Sequence, residues 1–212
     1  MAQSSERLFP DYEIIEWLGH TTGSSLYRAR RLADQTPVLL KVLEAEPAAP
    51  SRVASFRRER ELFGALRSTV IPRPLALLDD PDRPATVFED CPGEPLAALG
   101  APLPVALALR LGRQLAEALA SLHEAQLIHR DLRPANVLVA VEKAQLWLLD
   151  LSRAAPRDLP AGSAAGEAVM EGDLAYIAPE QTGRLGHAVD HRADLYSLGV
   201  ILYWMLGGRL PF

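Results

Sequence analysis

An α+β chain of two lobes, a small antiparallel sheet with one inserted helix followed by a mainly helical part, is the fold class this sequence predicts. Three observations predict it. Between Tyr12 and Phe88, short apolar runs (EIIEWL, SSLYRAR, PVLLKVL, PLALL, ATVFED) are separated by turn signals, the pattern of short strands. A single charged stretch with helical spacing interrupts them. After CPGEP the pattern changes to long helical segments.

In chain order, residues 1–11 read as a tail, 12–90 as the sheet lobe and 91–212 as the helical lobe, incomplete after its central helix. The inserted helix is expected to start near Ser51, an N-cap following Pro50, and to place Val53, Phe56, Phe63 and Leu66 at roughly helical spacing, its RRERE run being mostly a solvated face. A second helix is expected from Pro104 to His123, where Leu111, Leu115, Ala118 and Leu122 recur at steps of four, three and four. In the last helix Leu195, Leu198, Leu202 and Met205 form one apolar face. Val200, Tyr203 and Leu206 cover much of the rest, so the expectation is burial all round. Segments 45–50 and 154–168, rich in Pro and Ala, read as loops, and no internal repeat is found.

Composition narrows the function. With 49% hydrophobic residues in 212, the chain has the means to bury a real core. Its 22 basic against 27 acidic residues leave no surplus of cations to neutralise a phosphate backbone, so nucleic acid is not an expected partner. One cysteine, Cys91, has no second thiol to pair with, and the opening MAQSSERLFPDYE lacks the apolar run of a secretory signal. A cytoplasmic protein is expected. The apolar stretch from Leu195 to Leu206 is shorter than the roughly 20 residues of a membrane span.

The strongest signal is HRDLRPAN at 129–136, followed by an apolar run ending in Asp150 and by APE at 178–180. With PVLLK before and DLYSLGV after, these strings resemble the protein kinase family, in its order, along nearly the whole chain. The resemblance implies a bilobal kinase-like fold and a protein Ser/Thr kinase that uses ATP and Mg²⁺. Such chemistry needs a group at the attacking hydroxyl, cations on the phosphates and oxygen ligands for magnesium. Asp131 fits the first role. Asn136 lies five residues on in the same loop, where Pro134 biases Arg133 toward extended backbone. Asn136 and Asp150, the latter at the end of AQLWLLD, are the candidate magnesium ligands. A zinc site at His129 has no second His or Cys at ligand spacing.

Lys41 sits as a single cation in an apolar strand, and Glu59 on the inserted helix is its expected ion-pair partner, aiming the ammonium at the α- and β-phosphates as in the family. Glu61 is the rival; Phe63, four residues after Glu59 on the same face, favours Glu59. Arg133 stands where the family usually has lysine and would hold the transferring phosphate, in keeping with Ser/Thr substrates. By resemblance the base would lie between Leu26 and Leu39 above and Leu138 below, with Leu18 and Gly19 in the covering loop. Backbone groups from Glu89 to Cys91 would bond the base, and Phe88 would stand behind it. Phe63, His129 and Leu151 would form an apolar column between the lobes, and Asp194 would receive backbone N–H groups from the 129–136 loop. Arg130 would meet negative charge on the segment from 151 to 178, which offers Glu167, Glu171 and Asp173 but, beyond Ser152, only Ser163 as a free serine.

The sequence departs from the family pattern in four ways. In LGHTTGSSLY, Gly19 is in place, but Thr21 and Ser24 stand where the second and third glycines belong, and Gly23 is one place off; a β-branched Thr is expected to crowd a phosphate. The triplet at 150–152 is DLS, with Ser152 strained by roughly 1 kcal/mol or more if left-handed backbone is required. Asp173 stands where Ser/Thr kinases place a threonine that bonds the catalytic aspartate. Finally, the family's remaining C-terminal helices are not in this sequence, which is expected to leave much of the apolar face of 195–206 uncovered and prone to association. APEQTGR and the last residues look most like the kinase-like domain that opens large bacterial hybrid sensors, where an ATPase-like module and a histidine kinase follow. Two other readings stand beside a protein kinase: a pseudokinase that signals by docking, and a small-molecule phosphotransferase, which leaves APE and its following helix unexplained.

Overall fold

The computed structural model describes residues 9–44, 50–80, 83–157, 174–183 and 188–212. Tyr12–Thr21 (β1), Ser24–Arg31 (β2), Pro37–Leu43 (β3), Pro74–Leu78 (β4) and Ala85–Glu89 (β5) pair into one antiparallel sheet in the order β1-β2-β3-β5-β4. β3 lies in the middle and is buried on both faces, which is why PVLLKVL reads as a continuous apolar run rather than an alternation. Side chains of a strand point alternately to its two faces. Val38, Leu40 and Val42 join Phe9, Tyr12, Ala29, Ala85 and Val87 in a small cluster on one side. Leu39, one step out of phase, joins the main core on the other. Lys41 shares the period of Leu39, and this register is what brings a cation inward.

The inserted helix, Pro50–Ala65 (α1), buries Phe56, Glu59 and Phe63, spaced by three and four so that they share one face. It begins at Pro50, so Ser51 lies inside the first turn rather than capping it. A proline at the first helical position forfeits no hydrogen bond, because that N–H has no partner within the helix anyway.

Beyond β5 the chain runs through Glu94–Pro95 (β6) and Leu96–Leu99 (α2) into Val105–Glu124 (α3), whose Leu111, Leu115, Ala118 and Leu122 are all fully buried. Leu127–Ile128 (β7) pairs with Ala155–Pro156 (β10), and Val137–Ala140 (β8) with Gln145–Leu148 (β9), β6 closing a three-stranded sheet beside β8. Arg192–Gly207 (α4) packs on α3, and the contact is closest at Gly112: a Cβ there would lie 2.4 Å from Leu202. The main apolar cluster runs from Leu26 and Leu39 in the first sheet to Ile201 and Met205 in α4, so the two lobes share one core.

The last helix differs from expectation. Ala193, Asp194, Ser197, Leu198, Val200, Ile201 and Met205 are buried, while Leu195, Tyr203 and Leu206 are more than 40% exposed. The helix is apolar all round but is covered on one side only by the described residues, so Leu195 is not part of the inward face.

One buried polar side chain holds the fold's second lobe together where apolar patterning says nothing. Gln114 of α3 donates to the Ala144 carbonyl at 2.7 Å and accepts from the Leu146 N–H at 3.1 Å, stitching the turn before β9 to the helix. Leucine at 114 would fill the space but leave both backbone groups unsatisfied, at about 1–3 kcal/mol. Gln114→Leu is therefore expected to lower the midpoint of urea unfolding with little change in its slope.

Candidate active site

β3 carries Lys41 to the interior, where its side chain is 1% exposed and meets two carboxylates. Glu59 Oε1 of α1 lies 2.5 Å from the ammonium and Asp150 Oδ1, two residues past β9, lies 3.2 Å away. Glu61, by contrast, is exposed. A buried charge is tolerable only when paired and hydrogen-bonded. Burial pulls the Lys41 ammonium down, but the carboxylates of Asp150 and Glu59 outweigh it and leave its pKa above the ordinary value. For Glu59 burial wins, pushing its carboxyl up to about 7 against the pull of Lys41. Asp150 is also pushed up by burial, but Lys41 and the N–H groups of Ser152 and Thr22 hold it well below the usual carboxylate range. The firmly ionised pair is thus Lys41 with Asp150.

The loop between β7 and β8 brings Asp131 and Asn136 to the same place. Arg133 is extended, at φ −155° and ψ 160°, as its position before Pro134 dictates, and Pro134–Asn136 forms one 3-10 turn. Asn136 Nδ2 donates to the Asp131 carbonyl at 2.8 Å and reaches Asp131 Oδ2 at 3.3 Å, while the Leu149 N–H donates to the Asn136 carbonyl at 2.9 Å. The loop and the segment ending in Asp150 are thereby fixed side by side. Arg133 Nε stands 3.8 Å and Arg153 Nε 4.0 Å from Asp131 Oδ2.

With its amide nitrogen committed to Asp131, Asn136 leaves Oδ1 fully buried with no hydrogen-bond partner among the described residues. Buried acceptors rarely go unsatisfied, and one that does calls for an explanation. An oxygen of this kind beside the ionised Asp150 is the donor chemistry of a hard cation such as Mg²⁺, which takes one or two protein oxygens and fills the rest of its shell with water and phosphate. The residues present fit that ion.

The apolar residues expected around a nucleotide base also come together. Leu26, Leu39, Cys91 and Leu138 are buried in the main cluster and Leu18 packs against it. Phe63 and Phe88 meet edge to face at 4.8 Å behind them. Gly19 sits at an irregularity of β1 with φ 137°. The Glu89 N–H is engaged with the Arg73 carbonyl, while its own carbonyl lies 3.6 Å from the Cys91 thiol, whose pKa burial pushes up. Phe63, His129 and Leu151 are each about 2% exposed or less. The Leu151 N–H donates to Glu59 Oε1 at 2.7 Å, tying Leu151 to the ion pair. A cavity of about 360 Å³ opens elsewhere, between the end of α3 and His191, and is lined by none of these residues.

Asp194, at the start of α4, accepts from the His129 N–H at 2.9 Å and the Arg130 N–H at 2.8 Å, as expected of it. A third contact, 2.8 Å to His123 Nε2, was not anticipated. Arg130 itself is left-handed, at φ 67°, a conformation that costs a non-glycine residue free energy and persists only when its surroundings impose it. Asp194 holds its N–H and Gln181, just after APE, holds its carbonyl at 2.8 Å. Ser152 is not left-handed, so the strain anticipated for DLS does not arise in this conformation. Its N–H instead donates to Asp150 Oδ1 at 2.8 Å. Ser163, Glu167, Glu171 and Asp173 lie outside the described residues.

Sequence reasoning missed Thr22, Arg153 and Gln181. The signal available for Thr22 is the glycine after it, since Gly at the second central position marks a tight turn. Gln181 and Arg153 carry no local signal, since their roles appear only once segments distant in sequence meet.

The protein kinase domain family matches residues 12–212, and the chain belongs to that family. It is 34% identical to serine/threonine-protein kinase pkn2 of Myxococcus xanthus, over 95% of this chain and 25% of that protein. It is 31% identical to serine/threonine-protein kinase Pkn1 of the same organism, over 95% of this chain and 29% of that protein. With serine/threonine-protein kinase PknB of Mycolicibacterium smegmatis it shares 32% identity, over 98% of this chain and 34% of that protein. The chain thus spans about a quarter to a third of the length of these relatives.

Because Asp194 satisfies two backbone N–H groups and a ring nitrogen from a fully buried position, its removal leaves all three without an acceptor. Asp194→Ala is expected to cost about 3–5 kcal/mol in chemical unfolding. Asp194→Asn, which keeps one acceptor, should lose less.

Proposed function

We propose that this chain transfers the γ-phosphate of ATP to a Ser or Thr hydroxyl of a protein. The observation that supports it best is the convergence of Lys41, Asp131, Asn136 and Asp150, drawn from three separate segments, around one buried polar centre. The similarity to bacterial serine/threonine-protein kinases points the same way.

Residues 12–90 are read as the nucleotide clamp and 91–212 as the platform for the acceptor. Leu18, Gly19, Leu26, Leu39 and Leu138 are proposed to enclose the base, with backbone groups of Glu89 and Cys91 along its edge. Lys41, held by Glu59, would face the α- and β-phosphates, and Arg133 the transferring one. Asn136 and Asp150 would hold Mg²⁺, which when bound offsets the charge that develops on the phosphate oxygens. Asp131 orients the acceptor hydroxyl and takes its proton, with the guanidinium groups of Arg133 and Arg153 standing 3.8 and 4.0 Å from its carboxylate.

The lone buried thiol, Cys91, suits a reducing, cytoplasmic setting. Among the described residues no helix is long and apolar enough to cross a membrane. By the likeness of APEQTGR to the kinase-like domain of bacterial hybrid sensors, the chain is proposed to act beside further signalling domains. A second reading, a docking module without transfer, draws support from Thr21 and Ser24 at the glycine positions of the loop.

Transfer of label from γ-labelled ATP to a generic protein substrate separates the two. Asp131→Asn is expected to lower the rate by about a hundredfold to ten-thousandfold, the range for loss of a positioned base. Equal rates in the two proteins would remove Asp131 from its role. No transfer by either would favour the docking reading.

A further inference from the structure

The tip of the β1–β2 hairpin does something that its lack of glycines does not explain. Thr21 pairs with Ser24, so Thr22 and Gly23 form a two-residue turn, with Gly23 at φ 71° supplying the positive angle that a type II turn places at its second central residue. From this turn Thr22 reaches across to both acids of the site. Its N–H donates to Asp150 Oδ2 at 2.9 Å, and its hydroxyl donates to Asp131 Oδ2 at 2.7 Å. The tip is also held from the other side. The Glu44 N–H donates to the Gly23 carbonyl at 3.0 Å and Arg52 of α1 reaches the same oxygen at 3.3 Å.

We propose that Thr22 is an autoinhibitory latch, closing the hairpin on Asp131 and Asp150 when no nucleotide is bound, so that a magnesium nucleotide must displace it to enter. This rests on the reading of Asp131 and Asp150 given above.

The carboxylates themselves supply the reason. Asp150 Oδ1 is committed to Lys41 and the Ser152 N–H, so Oδ2 is the oxygen left for a metal, and Thr22 holds it. A buried carboxylate without a cation needs donors, and the Thr22 N–H serves as one. At Asp131 the Thr22 hydroxyl stands as an acceptor hydroxyl would, donating to the carboxylate at hydrogen-bond distance. One residue thereby takes a metal-facing oxygen and the acceptor position together. Metal and latch thus compete for Asp150 Oδ2. Threonine at 22 also fits the two substitutions beside it: a hairpin held down by hydrogen bonds has less need of the freedom that glycines at 21 and 24 would provide.

The test compares the intact chain with Thr22→Ala, which deletes the hydroxyl, and Thr22→Ser, which keeps it. Calorimetric titration with MgADP is expected to show about threefold to tenfold tighter binding by Thr22→Ala, the effect of losing one hydrogen bond to a charged group at a half-buried position, with Thr22→Ser near wild type. Hydrogen exchange supplies a readout that needs neither nucleotide binding nor turnover. The Thr22 amide should be protected in the nucleotide-free wild type and less protected in Thr22→Ala. Unchanged or weaker MgADP binding by Thr22→Ala, or a Thr22 amide that exchanges at the rate of an unstructured chain, would overturn the latch. If the wild type takes up no MgADP, the nucleotide reading itself falls, while the amide exchange still decides whether the hairpin is closed.

Discussion

A single ammonium group buried among carboxylates sets the geometry of this molecule. Lys41 is brought inside by the alternation of a central strand, and once inside it must be compensated; leaving either the cation or its acids alone in that interior would cost several kcal/mol. Compensation comes from two places far apart in sequence, Glu59 on the inserted helix and Asp150 beyond β9. The sheet, the helix and the second lobe are therefore held in register by one charge cluster as well as by the shared apolar core.

Much of this was legible before any coordinates. The five strands and the three long helices followed from apolar periodicity, because alternation and 3.6-residue spacing report the type of an element. Lys41, Asp131, Asn136 and Asp150 were marked by the company they keep in PVLLK, HRDLRPAN and the run before DLS. Choosing Glu59 over Glu61 needed only the phase of Phe63. The exposed side of α4 was not legible, because an apolar residue carries no statement of what covers it. Leu195 and Tyr203 have the composition of core residues and the exposure of a surface. Gln114 was invisible for the opposite reason: it is a polar residue whose value lies in two backbone groups thirty residues away.

The residues missed at the site share one property. Thr22, Gln181 and the His123 partner of Asp194 act through hydrogen bonds that span tens of positions or more, and no local pattern encodes such distances. The hairpin lacks glycines at 21 and 24 but holds Asp150 and Asp131 through Thr22. A threonine does bond Asp131 here, but it comes from the first lobe.

The carbonyl of Arg130, held by the side-chain amide of Gln181, joins two regions with different duties. One carries Asp131 one residue later; the other follows APE. Because Arg130 adopts a backbone conformation that its anchors impose, a shift of the APE segment would be felt as a twist next to Asp131. The position of Gln181 and the orientation of Asp131 would then change together, with a single peptide unit as the crank between them.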